Sequence, residues 1–148
     1  ATNGVGHIAY AVGVAGTESS PAPNNVWFYN NTAYDGSTAS GVVAIRVRTG
    51  ATNVTVKNNL AYAPNASSPV LLSDSTGAVV ALHNSTDSQV KNTSPLFTTT
   101  PPVVPLDYKI TTGSYAIGGG AVSPAVPVWS DFFRVRSYNP RDMGAVIH

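Results

Sequence analysis

Apolar residues along this chain recur in short alternating runs, never at helical spacing. Val26-Trp27-Phe28-Tyr29, Val43-Ala44-Ile45-Arg46-Val47-Arg48, Val54-Thr55-Val56-Lys57 and Val79-Val80-Ala81-Leu82-His83 each read as a strand with one buried face. No window sustains an apolar period of three to four residues, and 13 Gly and 11 Pro are spread through the sequence, so helix is not expected.

The runs repeat. Val26-Trp27-Phe28-Tyr29-Asn30-Asn31, Val54-Thr55-Val56-Lys57-Asn58-Asn59 and Val80-Ala81-Leu82-His83-Asn84-Ser85 share one form, with starts 28 and 26 residues apart. A second series lies between them: Val43-Ala44-Ile45-Arg46 with Thr49-Gly50 matches Val70-Leu71-Leu72-Ser73 with Thr76-Gly77 at an offset of 27. Ile8-Ala9-Tyr10-Ala11-Val12 is an earlier member. Two interleaved series with one period predict an all-β fold, a β-solenoid of a few coils, in which each coil pairs with the next at about 4.8 Å. Val26, Phe28, Val54, Val56, Leu82, Ile45 and Leu72 then face inward, stacking Val54 on Val80 and Val56 on Leu82. Tyr29, Lys57, Arg46 and Arg48 face outward. Asn30, Asn58 and Asn84 stack at a bend, where Asn tolerates left-handed backbone and its amide can bond the next Asn in the column. A β-sandwich is the alternative architecture; it explains alternation and turns but not the recurring Asn-Asn motif.

Composition sharpens this picture. Of 148 residues, 43% are hydrophobic, enough for a core, and only 10% are charged, against roughly 25% in an average soluble domain. Asn, Ser and Thr supply the polar surface, as in secreted β proteins. The net charge is +1 with no basic stripe, so nucleic acid is not an expected partner. No apolar run approaches a membrane span, so no membrane partner is expected either. The chain has no cysteine, which excludes disulfides, Cys-ligated zinc and thiol nucleophiles.

The C-terminal third carries Ser94-Pro95-Leu96-Phe97, Asp107-Tyr108-Lys109-Ile110, Gly113-Ser114-Tyr115-Ala116-Ile117-Gly118 and Arg141-Asp142-Met143-Gly144-Ala145. Together with "NVWFYNNTAY" and "NVTVKNNLAY", these segments resemble the last coils and tail of bacterial secreted members of the right-handed parallel β-helix, pectate-lyase-like superfamily. Tyr115 and Gly118 stand where that family's pattern usually has Pro and Asp. The resemblance implies coils over residues 1–92 and a tail over 93–148 that packs on and caps them. It also implies a chain that is the last part of a longer one, and a secreted setting. Family members with this ending include polysaccharide lyases, glycoside hydrolases and surface proteins without known chemistry.

Against that background the outward column Tyr29/Lys57/His83 is the first candidate site. Tyr29 can stack on a sugar ring, Lys57 can neutralise a uronate and His83 can move a proton. Trp27 adds a second stacking platform. Arg46 and Arg48 form an outward pair suited to a carboxylate. The competing reading makes all six an ordinary solvated face. Paired carboxylates for glycoside hydrolysis are not evident: Glu18 lies in a loop, Asp35, Asp74 and Asp87 lie near turns, and Asp107, Asp131 and Asp142 belong to the tail pattern. His7, His83 and His148 are too dispersed for a metal site, and no helix follows Gly118-Gly119-Gly120, so no metal or cofactor is expected. The expected function is carbohydrate association, in a polysaccharide-degrading or polysaccharide-binding protein whose partner is a polysaccharide or oligosaccharide. The alternative is a non-catalytic structural or adhesive module or a phage-spike-like stalk. An open coil end further predicts a homo-oligomer, a dimer with Val5, Ile8, Tyr10 and Val12 near the contact.

Overall fold

The structure, a computed structural model, describes residues 7–13, 21–77, 79–82 and 93–120. Eight short strands follow one another: β1 His7–Val12, β2 Trp27–Tyr29, β3 Thr32–Tyr34, β4 Gly41–Val47, β5 Thr55–Lys57, β6 Leu60–Tyr62, β7 Ser68–Asp74 and β8 Val80–Leu82. A single 3-10 turn at Pro105–Tyr108 is the one helical element among the described residues. The all-β expectation therefore stands.

Each strand pairs with the one three elements later, giving sheets β1-β4-β7, β2-β5-β8 and β3-β6. All five pairings are parallel, where a sandwich built from hairpins and Greek keys needs antiparallel ones. The chain thus makes successive passes, β1–β3, β4–β6 and β7–β8, each laid beside the last. The sheet of long strands has the predicted register: Ile8↔Val43↔Val70 and Tyr10↔Ile45↔Leu72.

Within the third pass, strand β8 is displaced from the expected register by one residue. Val56 pairs with Ala81 and Lys57 with Leu82, so Val79, not Val80, continues the column of Val54. Val79 packs on the core, whereas Val80 is 53% exposed. The expectation that Val80 points inward is therefore corrected. The side chain of Leu82 lies outside the described residues.

The main core holds Ile45, Val47, Ala51, Val54 and Val56, all buried, with Tyr10, Val12, Val26, Phe28 and Leu72 packed on it part-exposed. Each Val or Ile among them contributes about 1.5–3 kcal/mol when fully buried. Simple alternation fails in β4. Val42 to Ile45 are buried consecutively. Ala44 is passed over in both ladders, with Ile8↔Val43 followed by Tyr10↔Ile45 and Val43↔Val70 by Ile45↔Leu72. Beyond that break Ile45 and Val47 pack toward β5, while Ala44 packs with Ala61 and Ala33 and Val42 with Ala63 and Ala66.

Asparagines turn the chain at two levels. Asn25 and Asn53 have φ of 57° and 50°, and Asn30 and Asn58 have φ of 46° and 55°. These are left-handed positions where a short amide side chain is tolerated. The amide ladder, however, runs through the neighbouring pair. Asn59 Oδ1 accepts from the Asn31 amide N–H at 3.0 Å and from Asn31 Nδ2 at 2.8 Å, and Asn59 Nδ2 donates to the Phe28 carbonyl at 3.0 Å. Asn30 Oδ1 is buried and makes no hydrogen bond, so the expected Asn30–Asn58 amide pairing does not form. Asn84 lies outside the described residues.

The remaining face of β3-β6 is covered by residues 97–117. Leu60, Phe97, Ile110 and Ala116 form a second buried cluster with Tyr34, Tyr62, Tyr108, Tyr115 and Ile117 around it. Phe97 and Ile110 form an antiparallel bridge, flanked by Thr98 N donating to the Lys109 carbonyl at 2.8 Å and Thr111 N donating to the Leu96 carbonyl at 2.9 Å.

Candidate functional site

Phe28 faces the core, where its ring lies 6.4 Å from that of Tyr10. Strand alternation therefore places Trp27 and Tyr29 together on the opposite face. Their ring centroids are 5.1 Å apart with planes inclined at 57°. Trp27 is 47% exposed and Tyr29 is half-buried. Burial pushes the Tyr29 phenol above its ordinary value, so at neutral pH it is an uncharged hydroxyl able both to donate and to accept. The register places Thr55 beside Trp27, and exposed Val80 beside Thr55.

Lys57 is level with Tyr29, as expected, but it has no exposed surface. This corrects its assignment as an outward, anion-binding residue: an ammonium that solvent does not reach cannot meet a polysaccharide carboxylate in solution. Truncating it would also leave a cavity, so a Lys57 substitution should lower stability. The residue paired with Lys57 in the next strand is Leu82, where His83 was expected. His83 itself lies outside the described residues.

Arg46 and Arg48 belong to a different sheet, the first level with Ala11 and Ser73 and the second donating its backbone N–H to the Val12 carbonyl at 2.8 Å. Both are half-buried. Gly13 lies against this segment at φ +110°, and a Cβ there would sit 2.6 Å from the Arg48 carbonyl oxygen. The arginine pair and the aromatic pair share no ladder.

The described carboxylates hold loops. Asp35 accepts from the Ser37 amide at 2.8 Å, and Asp107 accepts from the amides of Val103 and Val104 at 2.9 and 3.0 Å. Those last two amides hold the Asp107 carboxyl below its ordinary value. Asp74 accepts from the Thr76 amide and hydroxyl, both at 2.7 Å, and from the Val79 amide at 3.3 Å. Burial raises the Asp74 carboxyl, but the bonds from Thr76, Val79 and Gly77 outweigh it and leave the group below its ordinary value. A lowered folded-state value means that the ionised group stabilises the fold above the unfolded value and ceases to do so as pH falls through the lower one. Thermal melts from about pH 5 downward should therefore show a shallower acid loss for Asp74→Asn than for the parent, near and below the carboxylate reference of about 3.9. Parallel curves would remove Asp74 as a contributor. Glu18, Asp87, Asp131 and Asp142 lie outside the described residues.

A cavity of about 200 Å³ lies between β1-β4 and β3-β6, lined by Ile8, Ala9, Ala33, Ala44, Ala61 and Ala63 together with Tyr34 and Asp35. Sequence reading missed it. The available signal was the alanine at equivalent places in "NNTAY" and "NNLAY", where a larger side chain would fill the corner. Among the described residues no three His, Cys, Asp or Glu side chains gather to hold a metal ion. No described helix is long and apolar enough to cross a membrane. No family model, curated protein or solved structure matches the chain.

Proposed function

We propose that this chain is a right-handed parallel β-helix module of the pectate-lyase-like kind. In this reading it is secreted and associates with carbohydrate through Trp27 and Tyr29. The fold part is supported by three parallel ladders that each advance by one pass, with left-handed Asn at matching corners of the first two passes. Parallel crossover connections are right-handed in about 98% of cases, which supports the hand. Residues 1–92 then form the coils and 93–148 the tail, with residues 97–117 lying against β3-β6. The low charge and the Asn, Ser and Thr surface suit an extracellular setting.

The single observation that carries the binding role is the exposed Trp27 ring beside Tyr29 on the outer face of a parallel sheet. An indole with an exposed apolar face and a phenol hydroxyl next to it offers a sugar both a stacking surface and a hydrogen bond. Exposed anchors of this type dominate binding energy, and truncating one typically costs more than about 1 kcal/mol. Affinity electrophoresis against neutral and acidic polysaccharides should show retardation of the parent. Trp27→Ala should weaken it about tenfold or more, equivalent to about 1.4 kcal/mol, with the melting temperature retained because Trp27 is half exposed. Absorbance from unsaturated uronates in the same panel identifies a lyase. Retardation by none of the glycans supports the structural or adhesive module instead, for which the loop-holding roles of Asp35, Asp74 and Asp107 speak.

A further inference from the structure

We infer that Arg46 and Arg48, on the outer face of sheet β1-β4-β7, together bind one doubly charged tetrahedral oxyanion, either an inorganic ion or a phosphate monoester. This goes beyond the glycan reading, because the pair shares no ladder with Trp27 and Tyr29. Ile45 and Val47 are buried in the main core, so alternation turns Arg46 and Arg48 to the other side of the sheet. Strand β4 is the middle strand, and a described neighbour lies on each side of it. Ala11 and Ser73 stand level with Arg46. Gly13 lies beside Arg48, where a Cβ would come within 2.8 Å of the Arg48 Cβ. The two long side chains thus rise from a floor of short ones. Of the first-pass residues expected at a subunit contact, Tyr10 and Val12 pack on the core side of β1, and Val5 lies outside the described residues.

Charge and spacing select the ligand. Both arginines are half-buried, and among the described residues neither guanidinium makes an ion pair or a hydrogen bond. The one carboxylate in these three strands, Asp74, is level with Val47 and not with an arginine. Its oxygens are taken by Thr76 and the Val79 amide. Two residues along a parallel strand span about 6.6 Å. At that separation the two cations repel each other with part of their hydration removed, and both forks can close on a single group. A carboxylate neutralises one arginine and leaves the other. A dianion neutralises both, and its oxygens can accept from the two forks at once. The Ser73 hydroxyl, level with Arg46 on the same face, is a further donor. The carboxylate expected from the sequence is therefore the weaker ligand.

NMR of the arginine Nε–Hε groups in the whole chain tests this independently of any glycan, at constant ionic strength set with sodium chloride. Inorganic phosphate and sulfate should shift the Arg46 and Arg48 signals together along one saturable curve. Acetate should need roughly tenfold higher concentration or more. Arg46→Gln and Arg48→Gln, both at half-buried outer positions, should each keep the cooperative melt and weaken phosphate binding roughly tenfold or more. If either variant does not fold, the parent decides through its paired curves and its preference for phosphate over acetate. Glycerol phosphate binding as tightly as inorganic phosphate assigns the ester as ligand, and binding of the free anions alone assigns the inorganic ion; either result supports the site. No saturable shift, separate curves for the two arginines, or acetate as effective as phosphate would overturn the inference. Phosphate binding undiminished in a folded Arg46→Gln or Arg48→Gln variant would overturn it equally.

Discussion

Replacing Phe97 by alanine should lower the stability of the protein by about 3–5 kcal/mol, the cost of deleting a buried aromatic ring and leaving its cavity. The Phe97 ring centroid lies 5.5 Å from Tyr108 and 6.4 Å from both Tyr34 and Tyr62, with edge-on geometry in all three pairs. Such aromatic pairs add about 0.5–1.5 kcal/mol beyond area burial. The ring also joins Leu60 of β6 to Ile110 and Ala116 of the C-terminal segment in one buried cluster. The one ring thus contacts tyrosines from β3, from β6 and from the segment after them. Urea unfolding followed by tyrosine fluorescence measures the loss. Phe97→Leu, which refills most of the volume without the edge-on contacts, should fall between parent and alanine. A Phe97→Ala loss below about 1 kcal/mol would mean that the cluster relaxes around the gap and does not hold the segment.

The second large effect is expected at Asn59. Its side chain is buried, accepts hydrogen bonds from the Asn31 amide N–H and Nδ2 and donates one to the Phe28 carbonyl. Asn59→Leu keeps the volume but removes every polar atom. The half-buried Asn31 backbone N–H then faces an apolar side chain in place of its acceptor, and a donor left unpaired costs about 1–3 kcal/mol. The lost bond to the Phe28 carbonyl adds to this. Asn31→Leu at the outer rung should cost less, because Asn31 is only half-buried and water can replace its partner. Equal losses at the two positions would show that the ladder acts through the turn conformation and not through burial.

These two sites also show what could be read from the chain beforehand. Alternation gave β2, β4 and β5, and the offset of 27 between Val43 and Val70 is the observed pairing. Periodicity located the Asn corners, because left-handed backbone favours few residue types and Asn recurs at those places. It failed by one residue wherever two identical neighbours compete. Val79 and Val80 are equally apolar, and Asn30-Asn31 and Asn58-Asn59 are doublets. Only three-dimensional pairing decides which member of each faces the core or carries the ladder. Strands β3 and β6 are three residues long, too short to show a period, so the recurring alanine of "NNTAY" and "NNLAY" was the one trace of the corner they build. The burial of Lys57 was unreadable for another reason. Alternation assigns a side chain to a face, but it does not say whether something covers that face.

The pairing pattern has a kinetic corollary. Among the described residues no two strands neighbouring in sequence pair with each other; strand partners stand 25 to 35 residues apart, as in Thr55↔Val80 and His7↔Val42. That separation is roughly one sixth to one quarter of the chain, the range in which all-β domains fold in milliseconds to seconds and not in microseconds. The first ladder must form by closing a loop of that size with almost no local structure to offset the entropy. Once two passes have met, each later one adds to a preformed edge, so initiation between neighbouring passes, and not growth, sets the pace at which this chain finds its structure.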